Sequence, residues 1–264
     1  MDQLATLINA LPAEQRSYQS YTAKSRTCSF GIPSSATESG QPLLTLPSDC
    51  SDFEFAMGEQ GLALVRAYAA SAFPAQTESL LIGDSSYNPQ MGRQDLRPLI
   101  EAIKHTPFPK LKQLYLGEYL LFVNGAGATC PLGDVTPILQ HAPQLAELSL
   151  VGNFSLSQAL NFPELTELDI QLDDCHSNIN GGPISNDTLA ALLSSPMPKL
   201  TTLCLDLEIE PAVEYSLPAC FFDGHLLPAL SRLEIAGQFC QGEVERLAAS
   251  PLCQRDGFKL FIDD

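Results

Sequence analysis

Cys175 and His176 are the one adjacent thiol and imidazole pair in the chain. A cysteine nucleophile needs a base within hydrogen-bond reach and a further group to orient that base. Neighbours along a chain rarely face each other, so we expect no catalytic residue here. The eight cysteines, Cys28, Cys50, Cys130, Cys175, Cys204, Cys220, Cys240 and Cys253, lie far apart, with no CxxC pair and no histidines at ligand spacing. Neither a metal site nor a bound cofactor is expected from such a pattern. An even count would permit four disulfides in a secreted protein, but a stacked core of this size does not require them, and free thiols are the expected state. Residues 124–134 read NGAGATCPLGD and lack the Lys and the helix-opening Ser or Thr of a phosphate loop. Glycine there lets the chain turn out of a strand. His105 and His141 fall at the ends of expected helices, where capping by an imidazole is ordinary.

The remaining chemistry is charge. The net charge is −17, and from Gln113 to Ser231 fourteen Asp and Glu face the single base Lys199, leaving −13 in less than half of the chain. Phosphate binding draws its affinity from Lys and Arg, so nucleic acid is disfavoured as a ligand. An acidic field of this kind either attracts a basic protein partner or keeps the chain soluble, and composition alone leaves both readings open. No apolar run approaches the roughly 18 to 20 residues of a membrane span, so no membrane association is expected. The start of the chain carries Asp2, has no basic residue before an apolar centre, and does not read as a secretory signal. A cytoplasmic location is the expectation.

A repeated phrase must position these acids. Residues 108–116 read FPKLKQLYL, and near-copies return as APQLAELSL at 142–150, FPELTELDI at 162–170, MPKLTTLCL at 197–205 and LPALSRLEI at 227–235. Each is a variable residue, Pro, then Leu-x-x-Leu-x-Leu/Ile, the strand core of a leucine-rich repeat. Weaker copies, TESLLIG at 77–83 and GFKLFID at 257–263, extend the array at both ends. Leu80, Leu114, Leu148, Leu168, Leu203, Leu233 and Leu260 are spaced by 34, 34, 20, 35, 30 and 27 residues, so the crossovers between strands must vary. A single rung cannot bury its apolar edge, and neighbours must stack. The expected architecture is an α/β leucine-rich-repeat horseshoe solenoid. Its parallel strands should line the concave face and its helices and loops the convex face, with an arm and helical cap over residues 1–73 and the solenoid over 74–264.

Period two in each strand turns alternate residues outward. This gives three columns: Ser79, Gln113, Glu147, Glu167, Thr202, Arg232 and Lys259; Leu81, Tyr115, Ser149, Asp169, Cys204, Glu234 and Phe261; Gly83, Gly117, Val151, Gln171, Asp206, Ala236 and Asp263. Seven strands about 4.8 Å apart span on the order of 29 Å, the width of a small domain. The candidate partner-binding residues are the acids Glu147, Glu167, Asp169, Asp206 and Glu234, extended over the strand-exit loops by Asp173, Asp174 and Glu208. Tyr115 and Phe261 would act as aromatic anchors at the two ends.

Helical spacing marks the crossovers. Residues 95–106 carry Leu96, Leu99, Ile100 and Ile103 on one stripe with Asp95 as N-cap, and 134–141, 186–194 and 242–249 repeat the idea. A helix over 58–71 should cover the open end of the first strand, a short amphipathic helix is expected over 1–9, and 208–227, with Pro211 and Pro218 well apart, should be mostly loop.

Residues 108–153 resemble a bacterial leucine-rich-repeat family whose members sometimes carry a WGR domain. Phe108, Pro109, Leu111, Leu114, Leu116 and Gly117 match its strand phrase, and Gly133, Asp134, Val135, Pro137, Ile138 and Leu139 match its "GDvspLL" phrase. The resemblance implies a bacterial repeat protein without enzymatic activity. The chain lacks a WGR segment and adds the loop 124–130. Acidic cytosolic horseshoes also include ribonuclease inhibitor, an analogy of type rather than of repeat length. The expected function is a non-enzymatic protein binder, most sharply an immunity protein or inhibitor that captures a basic toxin or enzyme domain. The alternative is a scaffold or adaptor that assembles a bacterial complex through its N-terminal arm and convex helices.

Overall fold

The fold is built from one turn used five times. In each repeat the carbonyl of the residue before proline accepts a hydrogen bond from the leucine three places on: Phe108 from Leu111, Ala142 from Leu145, Phe162 from Leu165, Met197 from Leu200 and Leu227 from Leu230, at 3.2 to 3.4 Å. Proline occupies the second position of that turn, where its fixed φ is already correct. All five residues before proline are buried. The turn therefore points one apolar side chain into the core and aims the next residues along the sheet.

In a computed structural model the described residues are 3–10, 16–19, 27–30, 41–42, 50–56, 61–84, 95–118, 131–172, 183–207 and 213–263. Along the chain these form α1 (Gln3–Ala10), β1 (Arg16–Gln19), β2 (Thr27–Phe30), β3 (Gln41–Pro42), β4 (Asp52–Ala56), α2 (Gly61–Ala69), β5 (Ser79–Asp84), α3 (Arg97–Ile103) and β6 (Gln113–Glu118). Next come β7 (Pro131–Asp134), α4 (Thr136–Gln140), β8 (Glu147–Val151), β9 (Asn153–Ser155), β10 (Glu167–Gln171), α5 (Asn186–Leu193), β11 (Thr202–Asp206), α6 (Ala219–Asp223), β12 (Arg232–Ala236), α7 (Glu243–Ala248) and β13 (Lys259–Asp263).

The main sheet has the order β13-β12-β11-β10-β8-β6-β5-β4-β2-β1-β3. Every pairing from β13 to β2 is parallel, and β1 joins antiparallel between β2 and β3. Leu80, Leu114, Leu148, Leu168, Leu203, Leu233 and Leu260 fall in one row across the strands, in the register that the spacing requires. The fold is an α/β solenoid of parallel strands alternating with helices and loops. Burying each leucine contributes about 1.5 to 3 kcal/mol, offset by the ordering of the chain.

The expected division at residue 73 has no counterpart in the sheet. Phe53 of β4 pairs beside Leu80, and Cys28 of β2 beside Phe53, so the parallel array runs on into the segment read as an arm. The helix expected to cover the end of the first strand is α2, which connects β4 to β5 as a crossover and packs against α1 and α3. The reason is local: DFEFA alternates buried Phe with polar residues just as a leucine strand does, so β4 needs a neighbour on each side. Residues 208–227 also hold more than loop. Pro218 and the left-handed Gly224 (φ 66°) bracket the helix α6, which buries Phe221 and Phe222. Pro131–Asp134, read as a turning segment, is a strand that pairs with β9 in a second small sheet, while the loop 124–130 lies outside the described residues.

Three crossover helices begin with a side-chain oxygen on a backbone N–H. Asp95 is one place too early to be the N-cap, which is Leu96, but its Oδ1 accepts from Arg97 N at 3.0 Å. Asp134 does the same for Thr136 N at 2.9 Å, and Ser185 caps α5 by accepting from Thr188 N at 3.1 Å. Each relieves one orphan donor of a helix start.

Two buried tyrosines lie on opposite sides of the sheet's centre. Tyr68 lies 4.9 Å from Phe53 and 5.0 Å from Phe55, ring centre to ring centre, and shares a 2.6 Å hydrogen bond with Thr77 Oγ1. Tyr215, fully buried and bridged to Phe239 just beyond β12, has a hydroxyl with no hydrogen-bond partner. The last rungs are tied together by Arg255, whose guanidinium donates to the carbonyls of Leu227 and Gly224, at 2.6 and 2.5 Å.

Candidate protein-binding face

The register lines up the outward positions as it does the leucines. Gln113, Glu147, Glu167, Thr202, Arg232 and Lys259 form one row and Tyr115, Ser149, Asp169, Cys204, Glu234 and Phe261 the next. Burial alternates accordingly along β8, β10, β11, β12 and β13. The third column departs from expectation: Gly83, Gly117 and Val151 are buried, and only from Gln171 onward does this row reach solvent. A strand's last residue is covered or exposed by where the chain goes next. After Val151 the chain turns at Gly152, and Gly117 lies directly against the Val151 carbonyl and Cβ of the neighbouring strand.

The acids are brought together, but not into a uniform field. Glu147 and Glu167 are exposed direct neighbours on adjacent strands, with the Gln113 amide donating to Glu147 Oε2 at 2.8 Å. Like charges in that relation destabilise a sheet. Glu234 is compensated instead. Arg232 Nε donates to its Oε1 at 2.6 Å, and the guanidinium also lies 5.0 Å from the centre of the Phe261 ring. Asp206 is half-buried in the third row. Asp173, Asp174 and Glu208 lie outside the described residues, as do Cys175 and His176. An open groove of about 570 Å³ crosses β11, β12 and β13, lined by Cys204, Asp206, Glu234 and Phe261 among others.

Asp169 is the acid whose setting the sequence pattern hides. It is half-buried between Ser149 and Cys204, with the Gln171 amide donating to Oδ2 at 2.9 Å and a buried Oδ1 that has no partner. Burial raises its pKa above the usual carboxylate range, against the lowering effect of Gln171 and of the Cys204 thiol. In turn the Cys204 thiol, desolvated and flanked by Asp169 and Glu234, is pushed up to about 12. It is held as a thiol, the unreactive form. Nothing in the one-dimensional pattern separates Asp169 from its exposed neighbours.

A raised folded pKa means that the folded chain disfavours the Asp169 charge. Its penalty is absent at pH below the unfolded carboxylate value and complete once the pH exceeds the folded value. Asp169→Asn is therefore expected to raise the melting temperature at neutral pH, with the gain shrinking as the pH falls through the carboxylate range. Parallel thermal melts of both proteins from neutral to acid pH check this. A variant less stable at neutral pH would show that the charge is satisfied.

His105 and His141, from neighbouring rungs, bring their ring centres within 6.4 Å, and His141 Nδ1 lies 2.6 Å from the Pro137 carbonyl, a capping contact. Among the described residues no group of three His, Cys, Asp or Glu side chains is placed to hold a metal ion. Among them, too, no helix is long and apolar enough to cross a membrane.

No protein-family model and no curated protein matches the chain. Among solved structures it is similar to a Bacteroides fragilis protein determined by a structural-genomics consortium, at 14% identity over 83% of this chain and 75% of that one, with a TM-score of 0.46.

Proposed function

We propose that the chain is a non-enzymatic protein-binding repeat array whose open acidic face captures a basic protein domain, in the manner of an immunity protein or inhibitor. One observation carries the reading: Glu147 and Glu167 stand side by side on paired strands with no base between them. Stacked like charges cost the isolated fold, and an arriving Lys or Arg reverses that cost. The unpartnered Asp169 oxygen adds an acceptor nearby. Arg232, paired to Glu234, and Lys259 limit the acidic field towards β13, so the centre of contact falls over β8, β10 and β11, with Tyr115 as an aromatic neighbour in the second row.

Affinity capture from the native lysate, with salt-gradient elution and mass spectrometry, supplies the partner. The triple variant Glu147→Lys, Glu167→Lys, Asp206→Lys should then bind it at least about tenfold more weakly while keeping its circular dichroism. Unchanged affinity would defeat the reading and bring forward a scaffold working through the helix side.

A further inference from the structure

The sheet ends at β13, and among the described residues nothing pairs with the outer edge of that strand. Inner strands bury their core-facing leucines and isoleucines almost completely: Leu203 and Leu233 are 0% exposed and Ile235 2%. Their counterparts Leu260 and Ile262 are only partly covered, and Phe261 is 48% exposed, the one large apolar side chain so exposed among the described residues. Edges of this kind are normally blunted by a charge, a bulge or a cover.

The hydrogen-bonding direction is fixed by the rung beneath. Lys259 N donates to Ser231 O at 2.9 Å, so the peptide groups of Lys259, Phe261 and Asp263 turn towards β12. Strand alternation then turns the N–H and C=O of Leu260 and Ile262 outward.

The sequence of the strand reads KLFID. Laid antiparallel against itself about Phe261, it sets Lys259 opposite Asp263, Leu260 opposite Ile262 and Phe261 opposite Phe261. In this register the outward peptide groups of Leu260 and Ile262 meet those of Ile262 and Leu260 in the other strand, the relation of a hydrogen-bonded antiparallel pair. Phe261 falls at a non-hydrogen-bonded position, where side chains approach most closely and an aromatic pair is favoured. All facing residues also lie on the same side of the joined sheet: Lys259, Phe261 and Asp263 on the open face, Leu260 and Ile262 on the core side. Of the strands in the leucine row, only β13 carries a base at its first position and an acid at its fifth.

We propose that the β13 edge binds a second copy of this chain, by antiparallel β13–β13 pairing centred on Phe261. The pairing joins two solenoids through one continuous sheet about a twofold axis, covers Leu260 and Ile262, and closes the edge. It does not depend on the capture of a basic partner, because none of the residues altered in the capture variant lies in β13.

Lys259 and Asp263 are exposed, so exchanging their charges leaves the core intact. Sedimentation of the full chain over a concentration series should show a species of twice the 28.5 kDa chain mass. Lys259→Asp places like charges opposite each other twice in the symmetric pair and should weaken dimerisation by roughly tenfold or more. The double variant Lys259→Asp, Asp263→Lys restores both pairs and should recover the dimer. Hydrogen exchange gives a second reading: Leu260 and Ile262 amides should gain protection as concentration rises. A monomer at every concentration, a dimer indifferent to Lys259→Asp, or failure of the double variant to recover it would overturn the proposal.

Discussion

Gly117→Ala is expected to cost about 3 kcal/mol or more of folding stability, combining left-handed strain with an overlap that cannot relax. Gly117, next to last in β6, has φ 132°, and a Cβ built there runs into the carbonyl of Val151 on the next strand. The obstacle is backbone in the middle of the sheet, so no rotamer change relieves it. Gly242, at φ 82° with open space around its Cβ position, is the control. There alanine meets conformational strain alone, about 1 to 2 kcal/mol. Urea denaturation of both variants decides the matter, and a Gly117→Ala midpoint no lower than that of Gly242→Ala would show that β6 and β8 do not approach as described.

Leu203→Ala should lose about 2 to 5 kcal/mol, the usual range for deleting a buried leucine in a core that collapses only partly. Leu203 is 0% exposed and wedged in its row between Leu168 and Leu233. Because each rung of a solenoid is stabilised by its nearest neighbours, the damage should be regional. Hydrogen exchange should show amides of β10, β11 and β12 losing protection while those of β4 and β5 keep most of theirs. A uniform loss along the sheet would mean that the array unfolds as one unit. Such a result would contradict the nearest-neighbour account.

The leucine row was legible because two signals coincide in each of the five full copies: period two in the strand, and a proline turn just before it. β4 and β2 escaped because the second signal is out of step or missing. In β4 Phe53 and Phe55 take the place of leucines, and Pro47 stands six residues ahead of Phe53 where the full copies place proline five ahead, so three-dimensional pairing reveals the rungs. On the open face the columns were readable because register tracks the leucines. Exposure was not, since Gly117 is covered by Val151 on the neighbouring strand rather than by anything in its own. Nor was the balance of charge, which turns on one contact: Arg232 on Glu234 makes the β12 end of the face less acidic than a count of carboxylates suggests.

The two buried phenols give the chain an optical property that its composition makes unusually clean. There is no tryptophan, so near-ultraviolet absorption and emission come chiefly from seven tyrosines. Tyr68 reports from the aromatic cluster at β4 and Tyr215 from the neighbourhood of β12, on opposite sides of the sheet's centre. Burial raises the pKa of both, Tyr215 to about 12, so forming either phenolate costs the folded state stability as the pH rises through the alkaline range. Alkaline titration thus reads two separate regions of the solenoid with built-in chromophores.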